Sequence, residues 1–289
     1  ITTNKGFKMQ YFIKVNGINL HYLEAGDGAG EPLILLHGLT ANATSFNGLI
    51  HAGLAKNRRV RTVDLRGRGL SDKPESGYRM ADHAADIIGL LDALEIDSVV
   101  LGGHSFGGLL TLYIAANFPD RVKKLVVIDA AAAAARQEVV EIIRPSLQRL
   151  ERTVPSEEQF ISAMQAAPYF HDGFWDADLE AYYRADIEML DDGSVRTRSR
   201  AAHIAQVIDG VLAEDWFGHL AKIKQPVLLL NAPEGLGPAG SAPVLSTEGA
   251  METVNALADC TYEQVSGNHM TMLFGKFASD IVQAIDTFI

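Results

Sequence analysis

The segment Gly103-His104-Ser105-Phe106-Gly107 places a serine between small residues at the G-x-S-x-G spacing, in which a hydroxyl can act as an acyl-transfer nucleophile. The spacing alone is weak, because chance supplies about one such match in ten chains with this glycine and serine content. The surroundings add to it. Val99 to Gly102 reads as a buried strand and Leu109 to Asn117 as a helix, so Ser105 falls on a strand-to-helix turn. Gly103, Gly107 and Gly108 keep bulk away from such a turn, and the helix start brings N–H groups beside the hydroxyl. A serine hydroxyl needs a base to take its proton. Of the nine histidines, His269 is the expected base, because Ser266-Gly267-Asn268-His269 directly follows the last strand pattern and the motif places the base last. His21 and His51 read as surface residues. His83, His171, His203 and His219 fall in helical or inserted segments, and His104 is expected to face away from the hydroxyl. An oxyanion needs donors, and the backbone N–H groups of Leu39 and Phe106 are the expected pair, with His37 a structural hydrogen-bonding residue.

These side chains need rigid elements to carry them. Tyr11 to Val15 and Ile18 to Tyr22 alternate around Asn16-Gly17, a hairpin signal. Pro32 to Leu36, Val60 to Leu65, Ser98 to Gly102 and Leu125 to Asp129 are short apolar runs of the kind buried on both faces of a parallel sheet. Ile87, Leu90, Leu91 and Leu94 recur at helical steps between them, with Asp82, Asp86 and Asp92 opposite. The alternation predicts an α/β fold with a doubly wound, mostly parallel sheet. It stops after Asp129. Residues 130–217 show helical periodicity cut by Pro145, Pro155 and Pro168, and the six-alanine run from Ala130 to Ala135 reads as helix-forming. Strands resume at Pro226 to Leu230 and Thr261 to Val265, with a final helix from about Thr271. The expected organisation is a core of residues 1–129 and 218–289 interrupted by an all-helical insertion, 130–217.

The whole composition narrows the partners. A net charge of −11 opposes binding to a phosphate backbone, so no nucleic-acid partner is expected. The apolar stretches are far shorter than a membrane helix requires and no secretion signal opens the chain, so no membrane partner is expected. One cysteine, Cys260, excludes an internal disulfide and a CxxC zinc site, and fits a cytoplasmic location. No feature specifies an oligomeric state.

Taken together, His37-Gly38, Asp64 to Asp72 (DLRGRGLSD), Gly103 to Gly108 and Gly267-Asn268-His269 resemble the α/β-hydrolase fold family from about residue 10 to the chain end, least across 130–217. The resemblance implies an eight-stranded sheet, a structural role for the Arg66–Asp72 loop, and an insertion that caps the active site. It also implies an acid some five residues beyond the strand ending at Leu230, where this chain has Gly235 next to Glu234. The other position used in such hydrolases ends the preceding sheet strand, at Asp129. Asp129 is favoured because a rigid strand holds it, and Glu234 stays as the alternative.

Aromatic residues crowd the insertion, and Tyr169, Phe170, Phe174 and Trp175 are expected to roof a largely apolar pocket. Arg136, Arg144 and Arg184 read as surface cations. Haloalkane dehalogenases and epoxide hydrolases of this fold use an aspartate nucleophile, which Ser105 disfavours. C–C hydrolases often carry a tryptophan beside the base, where this chain has Met270. The expected activity is a carboxylesterase or lactonase acting on a small, largely apolar substrate through an acyl-enzyme, with no metal or other cofactor. An amidase, a C–C hydrolase and a non-catalytic hydrolase-fold receptor are the alternatives.

Overall fold

A computed structural model describes residues 9–170, 173–238 and 240–289, so His171 lies outside the described residues. Asn16 and Gly17 both take positive φ, 45° and 81°, and turn β1 (Met9–Val15) straight into β2 (Ile18–Ala25). Then come β3 (Gly30–Leu36), α1 (Asn47–His51), β4 (Arg58–Asp64), α2 (Met80–Ala93), β5 (Val99–His104), α3 (Phe106–Asn117) and β6 (Val122–Ile128). The insertion holds α4 (Gln137–Leu147), β7 (Thr153–Val154), α5 (Glu157–Gln165), α6 (Ala177–Ala185), β8 (Ile187–Met189), β9 (Val195–Thr197) and α7 (Ala201–Leu212). The chain ends with α8 (Trp216–Leu220), β10 (Val227–Asn231), α9 (Thr247–Ala256), β11 (Cys260–Gln264) and α10 (Ala278–Phe288).

Eight strands form one sheet in the order β1-β2-β4-β3-β5-β6-β10-β11. β1, β2 and β4 pair antiparallel, and every later neighbour pairs parallel. The apolar runs of β5 and β10 are buried throughout, because helices cover both faces. One apolar cluster joins a sheet face to α2, α3 and α9. The other joins the opposite face to α1, α10 and part of the insertion.

Four local readings need correction. The insertion is not all-helical: β7, β9 and β8 form a three-stranded antiparallel sheet. Strands of two and three residues are too short to show a period of two. Pro145 does not break a helix but lies inside α4. Of the alanine run, Ala132 to Ala135 form a 3₁₀ turn, and Ala130 to Ala133 are buried, the first and last of them against glycines. A Cβ on Gly108 would lie 2.6 Å from that of Ala130, and one on Gly249 would lie 2.9 Å from that of Ala133. The smallness of these alanines matters more than their helix propensity. Two 3₁₀ turns, Thr271–Leu273 and Gly275–Phe277, precede α10, with Gly275 at a φ of 51° where the chain bends.

The 217 boundary also falls within α8, whose Trp216 belongs to the core cluster.

The DLRGRGLSD segment is a buried polar hub. Asp64 accepts bonds from His21 Nδ1 at 2.7 Å, Ala43 N at 2.6 Å and Leu70 N at 2.8 Å. Arg66 grips both oxygens of Asp86 at 2.6 Å, and Asn16 adds a third bond to that carboxylate. His21 and Asp86, both read as solvent-facing, are therefore buried at 3% and 1% exposure. Their partners lie 43 and 20 residues away in sequence, beyond the reach of helical or strand periodicity. Among the described residues no helix is long and apolar enough to cross a membrane.

Candidate active site

Ser105 occupies the turn between β5 and α3 with φ 54° and ψ −121°. Such backbone costs a non-glycine residue about 1–3 kcal/mol, so its neighbours must hold it there. The N–H of Ser105 donates to Ile128 O at 2.9 Å. A Cβ on Gly103 would lie 2.2 Å from Gly107 O, and one on Gly107 would lie 1.9 Å from Leu36 O, so only glycine allows the turn to close. Phe106 opens α3, and its N–H has no intrahelical acceptor.

Asp129 follows β6 with a φ of 47°, and its N–H donates to Leu230 O at 2.7 Å. Its Oδ1 accepts bonds from Asn231 Nδ2 and Ala232 N, both at 2.9 Å. Its Oδ2 lies 2.6 Å from Nδ1 of His269. Asp129 is 0% exposed and His269 is 6% exposed. A carboxylate at Nδ1 fixes the tautomer with its proton there, leaving Nε2 as the acceptor. The loop bearing His269 is pinned by its neighbour. Asn268 Oδ1 accepts from Met270 N and Thr271 N, and Asn268 Nδ2 donates to Tyr169 O of the insertion at 2.8 Å.

Glu234 meets the same loop differently, accepting Gly267 N at 3.3 Å and pairing its backbone with Asn268. Gly235 stands where the family's usual acid is expected, and a Cβ there would lie 2.1 Å from Ser241 O. That packing leaves no room for an aspartate.

Leu39 and Ser105 line two adjoining pockets, and Phe106 lines the second of them. Sequence reasoning missed Arg68, which joins the two expected oxyanion residues. Its Nε donates to Leu39 O at 2.9 Å, and its guanidinium lies 5.4 Å from the centre of the Phe106 ring. Burial pulls the Arg68 pKa down to about 9. His37 is structural, as expected: its Nδ1 donates to Gly38 O at 2.8 Å while Nε2 accepts from Leu65 N at 3.0 Å. His104 Nε2 donates to His269 O at 2.9 Å, so it holds the backbone that carries His269. Ser105 and His269 face the same pocket, and among the described residues the Ser105 hydroxyl has no hydrogen-bond partner. Contacts between nucleophile and base often tighten only around substrate.

Of the four expected roof residues, only Tyr169 lines the pocket. Phe170 is buried between Tyr169, Trp175 and Tyr183, Trp175 stacks on Tyr183 at 5.6 Å, and Phe174 packs on Phe277 at 5.3 Å. These three stabilise the insertion and its seat on the core. Tyr182, Tyr183 and the α4 residues Ile143, Ser146 and Leu147 line the pocket instead.

Arg149 lines it too, and sequence reasoning passed it over. It donates to Thr40 O at 3.1 Å, Thr40 Oγ1 at 3.0 Å and Ser146 O at 2.8 Å, and its Nε lies 3.4 Å from Asp186 Oδ2. Burial opposes its charge, but Asp186 and the neighbouring tyrosines more than offset that and hold its pKa above the ordinary value. Burial, opposed by Arg149, pushes Asp186 up to about 6. The Ile143, Ser146, Leu147 spacing marks one helix face, but nothing local says that this face meets the site. Arg136, Arg144 and Arg184 do pair on the surface, with Glu252, Glu141 and Glu180.

A family model described as the alpha/beta hydrolase fold matches residues 31–184. The chain belongs to that family. This α/β-hydrolase is 31% identical to a 2-(acetamidomethylene)succinate hydrolase of Mesorhizobium japonicum over 76% of each chain. It is 37% identical to a 2-hydroxy-6-oxo-2,4-heptadienoate hydrolase of Pseudomonas putida over 44% of this chain and 47% of that one. Among solved structures, that of an E-2-(acetamidomethylene)succinate hydrolase superposes with a TM-score of 0.81 over 97% of this chain and 98% of the other, at 23% identity.

Proposed function

We propose that this α/β-hydrolase cleaves a carboxylic ester, lactones included, through a Ser105-His269-Asp129 triad, with the insertion 130–217 as a cap over the site. The carrying observation is the 2.6 Å contact between Asp129 Oδ2 and His269 Nδ1 beside a serine held on a strained elbow. Ser105 Oγ attacks the carbonyl carbon while His269 Nε2 takes its proton. The oxyanion rests on the N–H groups of Leu39 and Phe106. Collapse expels the leaving group, which takes the proton from His269. Water then attacks the acyl-enzyme, gives a proton to His269, and the carboxylic acid departs as Ser105 recovers its hydrogen. The triad residues supply every proton transfer, so the scheme needs no cofactor.

An amide is the second reading, favoured by the acetamido group in the name of the relative that matches 76% of this chain. Two relatives are named for carboxylates, a succinate and a heptadienoate, and Arg149 in the pocket supports an acidic substrate here as well. In a test, a fluorophosphonate labels Ser105 and Ser105→Ala folds normally with turnover of a simple ester reduced roughly 10⁴-fold or more. Labelling of another serine, or undiminished turnover by that variant, overturns the assignment.

A further inference from the structure

The space around Ser105 is divided. Leu39, Ser105 and Ile143 border two pockets at once. The first contains His269, Arg149 and the hydroxyl-bearing Tyr169, Tyr182 and Tyr183. Apart from Ser105, the described residues that line the second all carry apolar side chains, among them Leu109, Val139, Val140, Ile208, Val211 and Val244. Ile143 of α4 stands between them.

From this division, and resting on the serine-hydrolase reading above, we infer that the substrate joins an apolar acyl group, seated in the second pocket, to an alcohol or amine bearing a carboxylate, seated in the first. The assignment of sides follows from proton transfer. In the tetrahedral intermediate the imidazole must lie between Ser105 Oγ and the departing atom, because it hands the serine's proton to that atom. The leaving group therefore occupies the compartment containing His269, and the acyl chain occupies the one without it.

The charge on the leaving group follows from Arg149. A guanidinium has five N–H donors. Among the described residues, four bonds to Thr40, Ser146 and Asp186 leave one donor uncommitted in a pocket otherwise lined by neutral groups and His269. Asp186 lies behind Arg149 and is not part of the pocket lining, so the guanidinium is the charged group that the first pocket presents to a ligand among the described residues. A carboxylate reaching Arg149 gains a charge-assisted hydrogen bond there, whereas a neutral leaving group makes at most an ordinary one. Among the described residues the second pocket offers an acyl chain no polar side chain other than Ser105 itself, so it excludes a charged acyl group by desolvation.

Mirror-image esters separate the two halves. O-Acylglycolates place the carboxylate on the leaving group, and alkyl hemisuccinates place it on the acyl group. Esters are intrinsically easier to cleave than amides, so the same series reports on an enzyme whose natural bond is an amide. O-Acylglycolates are expected to exceed both hemisuccinates and neutral alkyl esters in kcat/KM by about ten- to a hundredfold, the range of one charge-assisted hydrogen bond. Arg149→Met should abolish that preference mainly through KM. The double variant R149M/D186L tests the same point without stranding a buried carboxylate. Val140→Phe should shift the acyl optimum, scanned from acetyl to decanoyl, toward shorter chains. Faster hemisuccinates, a glycolate preference that survives both Arg149 variants, or Ser105 labelling without turnover of either charged series would overturn the substrate assignment and leave the nucleophile standing. Absence of both labelling and turnover would overturn the hydrolase reading itself.

Discussion

Asp129 and Glu234 both touch the machinery around His269, but they hold different atoms of it. Asp129 meets the imidazole, with its other oxygen fixed by Asn231 and Ala232, whereas Glu234 meets the backbone of Gly267. Asp129→Asn keeps the shape and removes the charge that sets the tautomer and balances the imidazolium, a loss on the order of 10⁴ in the serine proteases. We expect at least several hundredfold loss in kcat for Asp129→Asn and less than tenfold for Glu234→Gln. Steady-state kinetics on one ester decides it, and the reverse order would move the acid to Glu234. Ser105 and His269 were legible because a strand-turn-helix pattern and chain order mark them. Arg149 and Arg68 were not, because their roles arise from neighbours 109 and 29 residues away that only the folded chain brings together.

At the scale of elements, the aromatic cluster of the insertion divides between lining and packing. Phe174 lies against Phe277 and Gly275, outside the pocket lining. Phe174→Ala should therefore lower stability by about 2 kcal/mol, less than a fully buried phenylalanine, and leave the ranking of substrates unchanged. Thermal melts and an ester panel on the same preparation check both halves; an altered ranking at constant melting temperature would return Phe174 to the roof. The sheet strands were readable because runs such as Leu33 to Leu36 are buried on both faces, and the hairpin because Asn16-Gly17 adopts the required positive φ. The small sheet was not, since Val195, Arg196 and Thr197 make a strand of one alternation. The aromatic residues were visible as a group, but which of them faced inward depended on how α4 and α6 pack.

Over the whole molecule, four buried histidines whose pKa burial lowers, His203 among them, shape the response to acid. Burial lowers His37 to about 4 and holds His83 and His104 well below the ordinary imidazole range. These groups are neutral when folded and take up protons when unfolded, so their stabilisation is complete above an unfolded pKa near 6.5 and is lost as pH falls toward the folded values. Asp186 works oppositely: raised to about 6, it holds a proton in the fold that its unfolded form releases until lower pH. The lowered imidazoles outnumber the raised carboxyls of Asp186 and Asp86, so unfolding takes up protons on balance and the unfolding free energy should fall as pH drops from about 6 toward 4. Urea melts across that range measure the slope, and a flat profile would mean that these imidazoles are not buried neutral. The position of Asp129 has a different consequence at this scale. Because Asp129 directly follows β6, the single crossover β5-α3-β6 would carry both nucleophile and acid of the proposed triad, and the more than half of the chain that follows would contribute only an imidazole. On that proposal the turn after β10 is released from supplying the acid. Gly240, which no described residue crowds, marks a place in that turn where sequence can lengthen or drift between homologues without disturbing proton transfer.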